Sequence, residues 1–326
     1  MASSAILSSE PASEPAVLLL AGPTASGKSA LAVAAAQALN GVIVNADSMQ
    51  IYRELNRITA RPDETALAAA PHRLYGVRAM AEPCSAAAWR ALAVSEIAAA
   101  RAAGRVAILT GGTGMYFRAL RHGLAPVPPI PAAVRVAARA QLEAEGTDVL
   151  HAKLAVRDPE SAARLSPGDS QRILRAWEVL EATGRSLAAW QREPAADGAP
   201  AGHLVELVIE PARDVLYAAC DARFAEIVAQ GGVEEAGAIA ALDLEPALPA
   251  MKAVGLRELI GLAAGRITRE EALEAGMRAT RRYAKRQLTW FRHQMADAVR
   301  IEARVTPETL ENAVAVASRI VLTDSA

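Results

Sequence analysis

The octapeptide "GPTASGKS", Gly22–Ser29, follows the apolar run "AVLLLA" of Ala16–Ala21 and constrains this chain more than any other feature. It has the form G-x-x-x-x-G-K-S. In a turn between a strand and a helix, its glycines let successive backbone N–H groups point inward around phosphate oxygens. The helix that follows aims its positive end at the same anion. Gly22, Pro23, Thr24, Ala25, Ser26, Gly27, Lys28 and Ser29 are therefore the candidate phosphate site. Lys28 reaches the distal phosphate as a point charge, and the Ser29 hydroxyl is a candidate ligand for Mg²⁺. Loops of this form most often hold a nucleotide such as ATP, but the spacing specifies phosphate and leaves the rest of the ligand open.

Two further apolar runs, "GVIVNADS" (Gly41–Ser48) and "VAILTGGTG" (Val106–Gly114), end in polar or glycine-rich residues, with helical patterns between them. The order β-loop-α-β-α-β predicts an α/β fold, a P-loop NTPase-like parallel sheet flanked by helices. Such sheets bind ligands at the carboxyl ends of their strands. The loop, Asp47 and Gly111–Gly114 are thus expected on one rim. The prolines of "GLAPVPPIP" (Gly123–Pro131) break the pattern. From Ala132 to about Gln191 it is helical again, and there Asp169 or Ser170 can cap a helix that Gly184 ends. A second linker, "REPAADGAPAGH" (Arg192–His203), precedes the strand candidate "HLVELVIE" and then helices. The organisation expected is a disordered tail over 1–14, a core of 15–124 and 200–326, and an all-helical insertion of 125–199.

The chain of 326 residues has a formal net charge of −1, so any nucleic-acid surface must come from local clustering. Cys84 and Cys220 lie in no C-x-x-C, which argues against a disulfide framework or a zinc site and for a reducing, cytoplasmic setting. No apolar run is long enough to cross a bilayer. The N-terminus lacks the basic and apolar regions of a signal peptide. Nothing points to a large assembly, and a monomer is expected.

Asp47, at the tip of the second strand, has three readings: a general base, a Mg²⁺ ligand, or, with Ser48, a helix N-cap. Local clustering does occur in "RATRRYAKRQLTWFRHQ", where no acid interrupts Arg278, Arg281, Arg282, Lys285, Arg286 and Arg292. Helical spacing puts Arg278, Arg281 or Arg282, Lys285 and Arg292 along one side, with Tyr283, Trp290 and Phe291 interleaved. Such a stripe suits phosphate contact and base stacking. The alternative is a solvated basic face whose aromatics enter the core.

"GPTASGKS", "ADSMQIYREL", "ITARP", "APHRLYGV", "GGTGMYFRAL", "DSQRILRAWEVLEATGRSL", "VGLREL" and "ATRRYAKRQLTWFR" occur in an order that resembles the tRNA dimethylallyltransferases, also called tRNA isopentenyltransferases. The resemblance runs from about Val17 to His293. It implies transfer of a dimethylallyl group from dimethylallyl diphosphate to the exocyclic amine of the adenine just 3′ of the anticodon in tRNA. It further implies that the loop cradles the donor's diphosphate with Mg²⁺, that Arg223 of "DARF" joins Lys28 there, and that Asp47 holds and deprotonates the amine. Thr113 of "GGTG" would lie near the reaction centre. The anticodon stem-loop would meet Asp47, Ser48, Met49, Gln50 and Thr113, then Arg135, Gln171, Arg172, Ile173, Leu174 and Arg175 of the insertion. Lys252 and Arg257 would join them, along with Arg281, Lys285, Arg286 and Arg292 of the basic stretch. Taken alone, Arg223 reads as a surface ion pair on a helix, Thr113 as a turn or cap, and Arg172 and Arg175 as surface arginines.

Two departures stand out. Ile58-Thr59-Ala60-Arg61-Pro62 replaces the family's usual G-T-A-K-P, and Leu256 replaces a common tyrosine. They bear on tRNA selectivity more than on the reaction. Three other readings share parts of the pattern: an adenylate (free-nucleotide) isopentenyltransferase, a P-loop small-molecule kinase, and a non-catalytic RNA-binding switch.

Overall fold

The computed structural model describes residues 16–195, 198–200 and 203–323; the tail expected over 1–14 lies outside them. In chain order the elements are β1 (Val17–Ala21), α1 (Lys28–Ala38), β2 (Gly41–Asn45), α2 (Glu64–Ala69), β3 (His72–Arg73), α3 (Ala86–Ala102), β4 (Val106–Gly111) and α4 (Gly114–His122). Then come α5 (Ala132–Glu145), α6 (Thr147–Arg157), α7 (Pro159–Ala163), α8 (Ser170–Thr183) and α9 (Leu187–Gln191). The chain continues with β5 (Leu204–Ile209), α10 (Arg213–Ala229), α11 (Gly232–Ala240), α12 (Leu256–Ala263), α13 (Arg269–Gln294), β6 (Val299–Ile301) and α14 (Leu310–Thr323).

The six strands form one parallel sheet in the order β3-β2-β4-β1-β5-β6. The protein is an α/β fold with helices on both faces. Every residue of β1 is fully buried, as a central parallel strand requires. Side chains alternate across the sheet. Val17, Leu19 and Ala21 enter the core shared with Trp89, Phe117, Phe224 and Phe291. Leu18 and Leu20 enter the core shared with Leu31 and Ala35 of α1 and Ala313 and Ala317 of α14. Among the described residues no helix is long and apolar enough to cross a membrane.

The chain divides into two compact units, His122–Ala199 and the remainder. The smaller one begins at His122, slightly before the proline stack, and its elements are helices α5–α9. It has its own core, in which Ile173, Ala176, Trp177 and Leu180 of α8 meet Leu150 and Leu154 of α6. Asp169 caps α8, its carboxylate accepting the Arg172 N–H, and Gly184 at φ 66° closes it. Ile173 is fully buried there, so its side chain cannot touch tRNA, and Leu174 packs partly against the same core. The stretch 171–175 offers solvent Gln171 and Arg172 and, in part, Leu174 and Arg175.

A buried polar knot fixes the carboxyl end of β2. Trp89 of α3 stacks on Tyr116 at 4.2 Å between centroids and donates its indole N–H to the Asn45 carbonyl at 2.8 Å. We expect Trp89→Phe to keep the packing but leave that carbonyl without its donor, at a cost of about 1–3 kcal/mol. The check is urea denaturation, with the midpoint lowered and the folded-state circular dichroism unchanged.

Candidate active site

The phosphate loop joins β1 to α1, and its shape rests on two left-handed residues, Ala25 (φ 62°) and Gly27 (φ 90°). Gly27 has no alternative. A Cβ there would sit 2.8 Å from the Val305 carbonyl carbon, besides having an unfavourable φ. The segment after β6 grips the loop from outside. The Val305 N–H donates to the Ser26 carbonyl at 2.9 Å, and Arg304 Nε donates to the Ala25 carbonyl at 3.0 Å. These residues carry no sequence signal linking them to the loop, and sequence reasoning missed them.

Thr24, Lys28 and Ser29 of this loop open onto a cavity of about 180 Å³ at the carboxyl ends of the strands. Asp47, Ser48, Met49 and Gln50, after β2, form a second wall, and Arg223 of α10 enters from a third. Among the described residues Arg223 forms no ion pair within salt-bridge distance. Its Nη2 donates to the Thr59 carbonyl at 2.9 Å, and burial lowers its pKa, with Asp47 opposing the shift. Lys28 donates to the Pro23 carbonyl at 3.0 Å. Its pKa is pulled down to about 8, first by burial, while Asp47 raises it and Arg223 lowers it further. Lys28 and Arg223, with Lys252 also on the lining, therefore share one cavity with a single carboxylate, Asp47.

Asp47 does not cap a helix. Its Oδ1 accepts the Met49 N–H at 2.9 Å within a turn. Asn45, fully buried, sets that turn: its Oδ1 accepts the Asp47 N–H at 2.8 Å, and its Nδ2 donates to the Asp47 and Leu74 carbonyls, both at 3.0 Å. Among the described residues no hydrogen bond reaches the second carboxylate oxygen of Asp47.

Thr113 does not line the cavity. It stands behind Ser48, whose N–H it accepts at 2.9 Å and whose hydroxyl lies 3.2 Å away. Tyr75, Thr280 and Tyr283 do line the cavity. Burial raises the pKa of both tyrosines, and Asp47 adds to it. Ile58 and Lys252 also line it, whereas Leu256 is fully buried in the core. Ile58 is held by its N–H, donated to the Glu235 carboxylate at 3.0 Å.

The basic stripe is shorter than its sequence suggests. Arg281 forms a two-pronged pair with Asp221 at 2.5 and 2.6 Å, Arg278 pairs with Glu274 at 2.9 Å, and Arg292 pairs with Glu210 at 2.5 Å. Arg286 lies over the Tyr283 ring. Arg282 and Lys285 are exposed and carry no ion pair among the described residues. The interleaved aromatics do not offer a stacking surface: Phe291 is core, Trp290 packs against it, and Tyr283 turns into the cavity. Arg257 is exposed at the start of α12, and Arg135 is exposed on α5 in the smaller unit.

The residues present fit a Mg²⁺ ion held with a phosphate ligand. Ser29 sits in the first turn of α1. The buried Thr110 hydroxyl has no hydrogen-bond partner and lines the cavity beside it. Among the described residues no cluster of three acidic, histidine or cysteine side chains could cage a metal without such a ligand. Mg²⁺ commonly takes few protein ligands and completes its shell with phosphate oxygens and water.

Residues 50–294 match the family model described as IPP transferase. The chain belongs to the IPP transferase family. A tRNA dimethylallyltransferase from Rhodospirillum centenum is 55% identical over 292 residues, covering 90% of this chain and 93% of that one. One from Rhodopseudomonas palustris is 52% identical over 283 residues, covering 87% and 88%. A solved tRNA isopentenylpyrophosphate transferase from Bacillus halodurans superposes with a TM-score of 0.68 at 30% identity, covering 95% of this chain and 98% of that one. A eukaryotic dimethylallyltransferase solved while acting on tRNA gives a TM-score of 0.80 at 21% identity, covering 95% and 80%. That last likeness is one of fold.

The Lys28 environment makes anion binding by this IPP transferase family member depend on pH. A bound diphosphate favours protonated Lys28, which the free protein loses as pH rises through about 8. We expect pyrophosphate affinity to be highest below that point and to fall above it by up to about tenfold per pH unit. Titration calorimetry of wild type against Lys28→Met between neutral and alkaline pH checks this. The variant should bind weakly and retain only the pH dependence of pyrophosphate itself.

Proposed function

We propose that the protein transfers the dimethylallyl group from dimethylallyl diphosphate to the exocyclic amine of the adenine 3′-adjacent to the anticodon in tRNA, releasing diphosphate. It would do so as a cytoplasmic monomer with Mg²⁺. The observation that carries this reading is the pairing of Lys28 and Arg223 with one carboxylate, Asp47, around a single cavity in a member of this family.

The chemistry follows from that charge pattern. The allyl C–O bond breaks as the amine nitrogen bonds to the allyl carbon, and negative charge collects on the departing diphosphate. Lys28 and Arg223, already on the cavity wall, stabilise that charge. Mg²⁺ at Ser29, when bound, neutralises part of it. The adenine amine is a poor nucleophile because its lone pair is delocalised into the ring. Asp47, with one oxygen tied to the Met49 N–H, takes the amine proton with the other. The adenine must leave its stack to reach this position, which costs less in an anticodon loop than in a duplex. Arg135, Arg172 and Arg175 of the smaller unit, with Arg257, Arg282 and Lys285 of the core, supply exposed or half-exposed cations for the RNA backbone.

The direct test offers labelled dimethylallyl diphosphate and Mg²⁺ with unmodified tRNA and with AMP in parallel. Label in tRNA alone is expected; label in AMP alone would instead make the protein a free-nucleotide prenyltransferase. Asp47→Asn is expected to lower turnover roughly 10²–10⁴-fold while leaving tRNA affinity nearly unchanged. Near-wild-type turnover would remove the base role. Replacing Arg282 and Lys285 together by alanine should weaken tRNA binding and lower its salt slope by about one to two. The same pair of changes should leave pyrophosphate affinity unaltered.

A further inference from the structure

α13 carries more than a basic outer face. Its inward positions Thr280, Tyr283 and Gln287 look toward the site, and Gln287 is 5% exposed. The Gln287 side-chain amide spans two loops that are far apart in sequence. Its Oε1 accepts the Thr24 N–H of the phosphate loop at 2.9 Å, and its Nε2 donates to the Gly112 carbonyl at 2.9 Å. The fit is close: a Cβ on Gly112 would collide with Nε2. Tyr283 lines the cavity one turn before Gln287 on the same helix. Thr113 bonds Ser48, next to Asp47. Hydrogen bonds thus link the phosphate loop through Gln287 to Gly112, and its chain neighbour Thr113 to the wall that bears the carboxylate.

We propose that Gln287 is a positioning residue that couples occupancy of the phosphate loop to the alignment of the Gly112–Thr113 segment, and through Ser48 to Asp47. The inference rests on the donor-diphosphate reading above. An amide is the side chain suited to this place. It offers one acceptor and one donor in a plane, and both are used. A carboxylate could keep the Thr24 bond but would face the Gly112 carbonyl with no proton to give. A thioether could fill the volume and make neither bond. Thr24 lines the cavity while its N–H is held by Gln287, so a change in the loop on anion binding passes to Gln287 and from it to the Gly112 carbonyl. Coupling of this kind is a free energy shared between two places and is measured as such.

The test uses hydrogen–deuterium exchange on the full-length protein with inorganic pyrophosphate and Mg²⁺. In wild type, saturating pyrophosphate should slow exchange across residues 111–117 by about fivefold or more. In Gln287→Met and in Gln287→Glu, pyrophosphate should still protect the phosphate loop while exchange at 111–117 stays at its unliganded rate. Thermal melts establish that each variant is folded, and if the Met variant is not, the Glu variant carries the test. In steady-state assays both variants should lose turnover while the KM for each substrate stays within about threefold, because the groups are bound but misaligned. The inference is overturned if wild type shows no protection at 111–117, or if both variants retain it. Failure of wild type to bind pyrophosphate at all would instead remove the donor-site reading on which the inference stands.

Discussion

Enclosing positive charge without an equal negative charge is the constraint on which this site depends. Lys28 and Arg223 face a common cavity with Asp47 as the one carboxylate on its walls. Taking a cation out of water costs several kcal/mol unless it is paired. The protein meets part of that cost with carbonyls: Pro23 for Lys28 and Thr59 for Arg223. The remainder appears as a lysine whose pKa falls to about 8. A polyanionic ligand removes the imbalance. The affinity for such a ligand is thereby written into the unliganded fold.

The surrounding structure holds those charges in register. No element long enough to be rigid carries Asp47, Thr113 or the phosphate loop; all three lie on turns after strands. Buried amides do the holding. Asn45 fixes the Asp47 turn, and Gln287 ties Thr24 to Gly112. The sheet supplies the frame, since β1, β2 and β4 are neighbours in one parallel register and end on the same rim. The segment after β6 closes the outside of the loop through Val305 and Arg304. Side chains more than 250 residues apart in sequence therefore meet at one loop, Thr24 and Gln287 among them.

What could be read in advance was what local sequence encodes. The phosphate loop depends on spacing, three of the four first-half strands on continuous apolar runs (the two-residue β3 has none), and the cap and stop of α8 on Asp169 and Gly184. What could not be read depends on partners brought from elsewhere. The helix of Arg278–Arg292 looked uniformly basic because Asp221 and Glu210 lie on other elements and Glu274 sits one turn upstream. Ile173 was swept into a contact surface as part of a contiguous block, although the spacing of 173, 176, 177 and 180 marks the inward stripe of α8. Arg223 looked like a surface residue because its own helix says nothing of the cavity it faces. Gln287 was unmarked for the same reason. A neutral amide inside a basic stretch carries no signal until two loops arrive to meet it.

The cavity also divides the labour of its walls. Lys28, Ser29 and Arg223 line it together with the Asp47 turn, and the same lining includes the apolar Met49, Ile58, Phe224, Ile227 and Val254. An allyl group separating from diphosphate is electron-poor and reacts with whatever nucleophile is nearest, water included. In the proposed reaction, apolar walls would exclude water and leave the amine as the competent partner. Ile58 lies on such a wall, and the Glu235 carboxylate holds its backbone in place. The departure from the G-T-A-K-P pattern thus falls on an apolar wall and leaves the charged groups untouched. A substitution at that wall alters which groups can share the space with the allyl carbon, while one at Lys28, Arg223 or Asp47 alters whether the reaction proceeds.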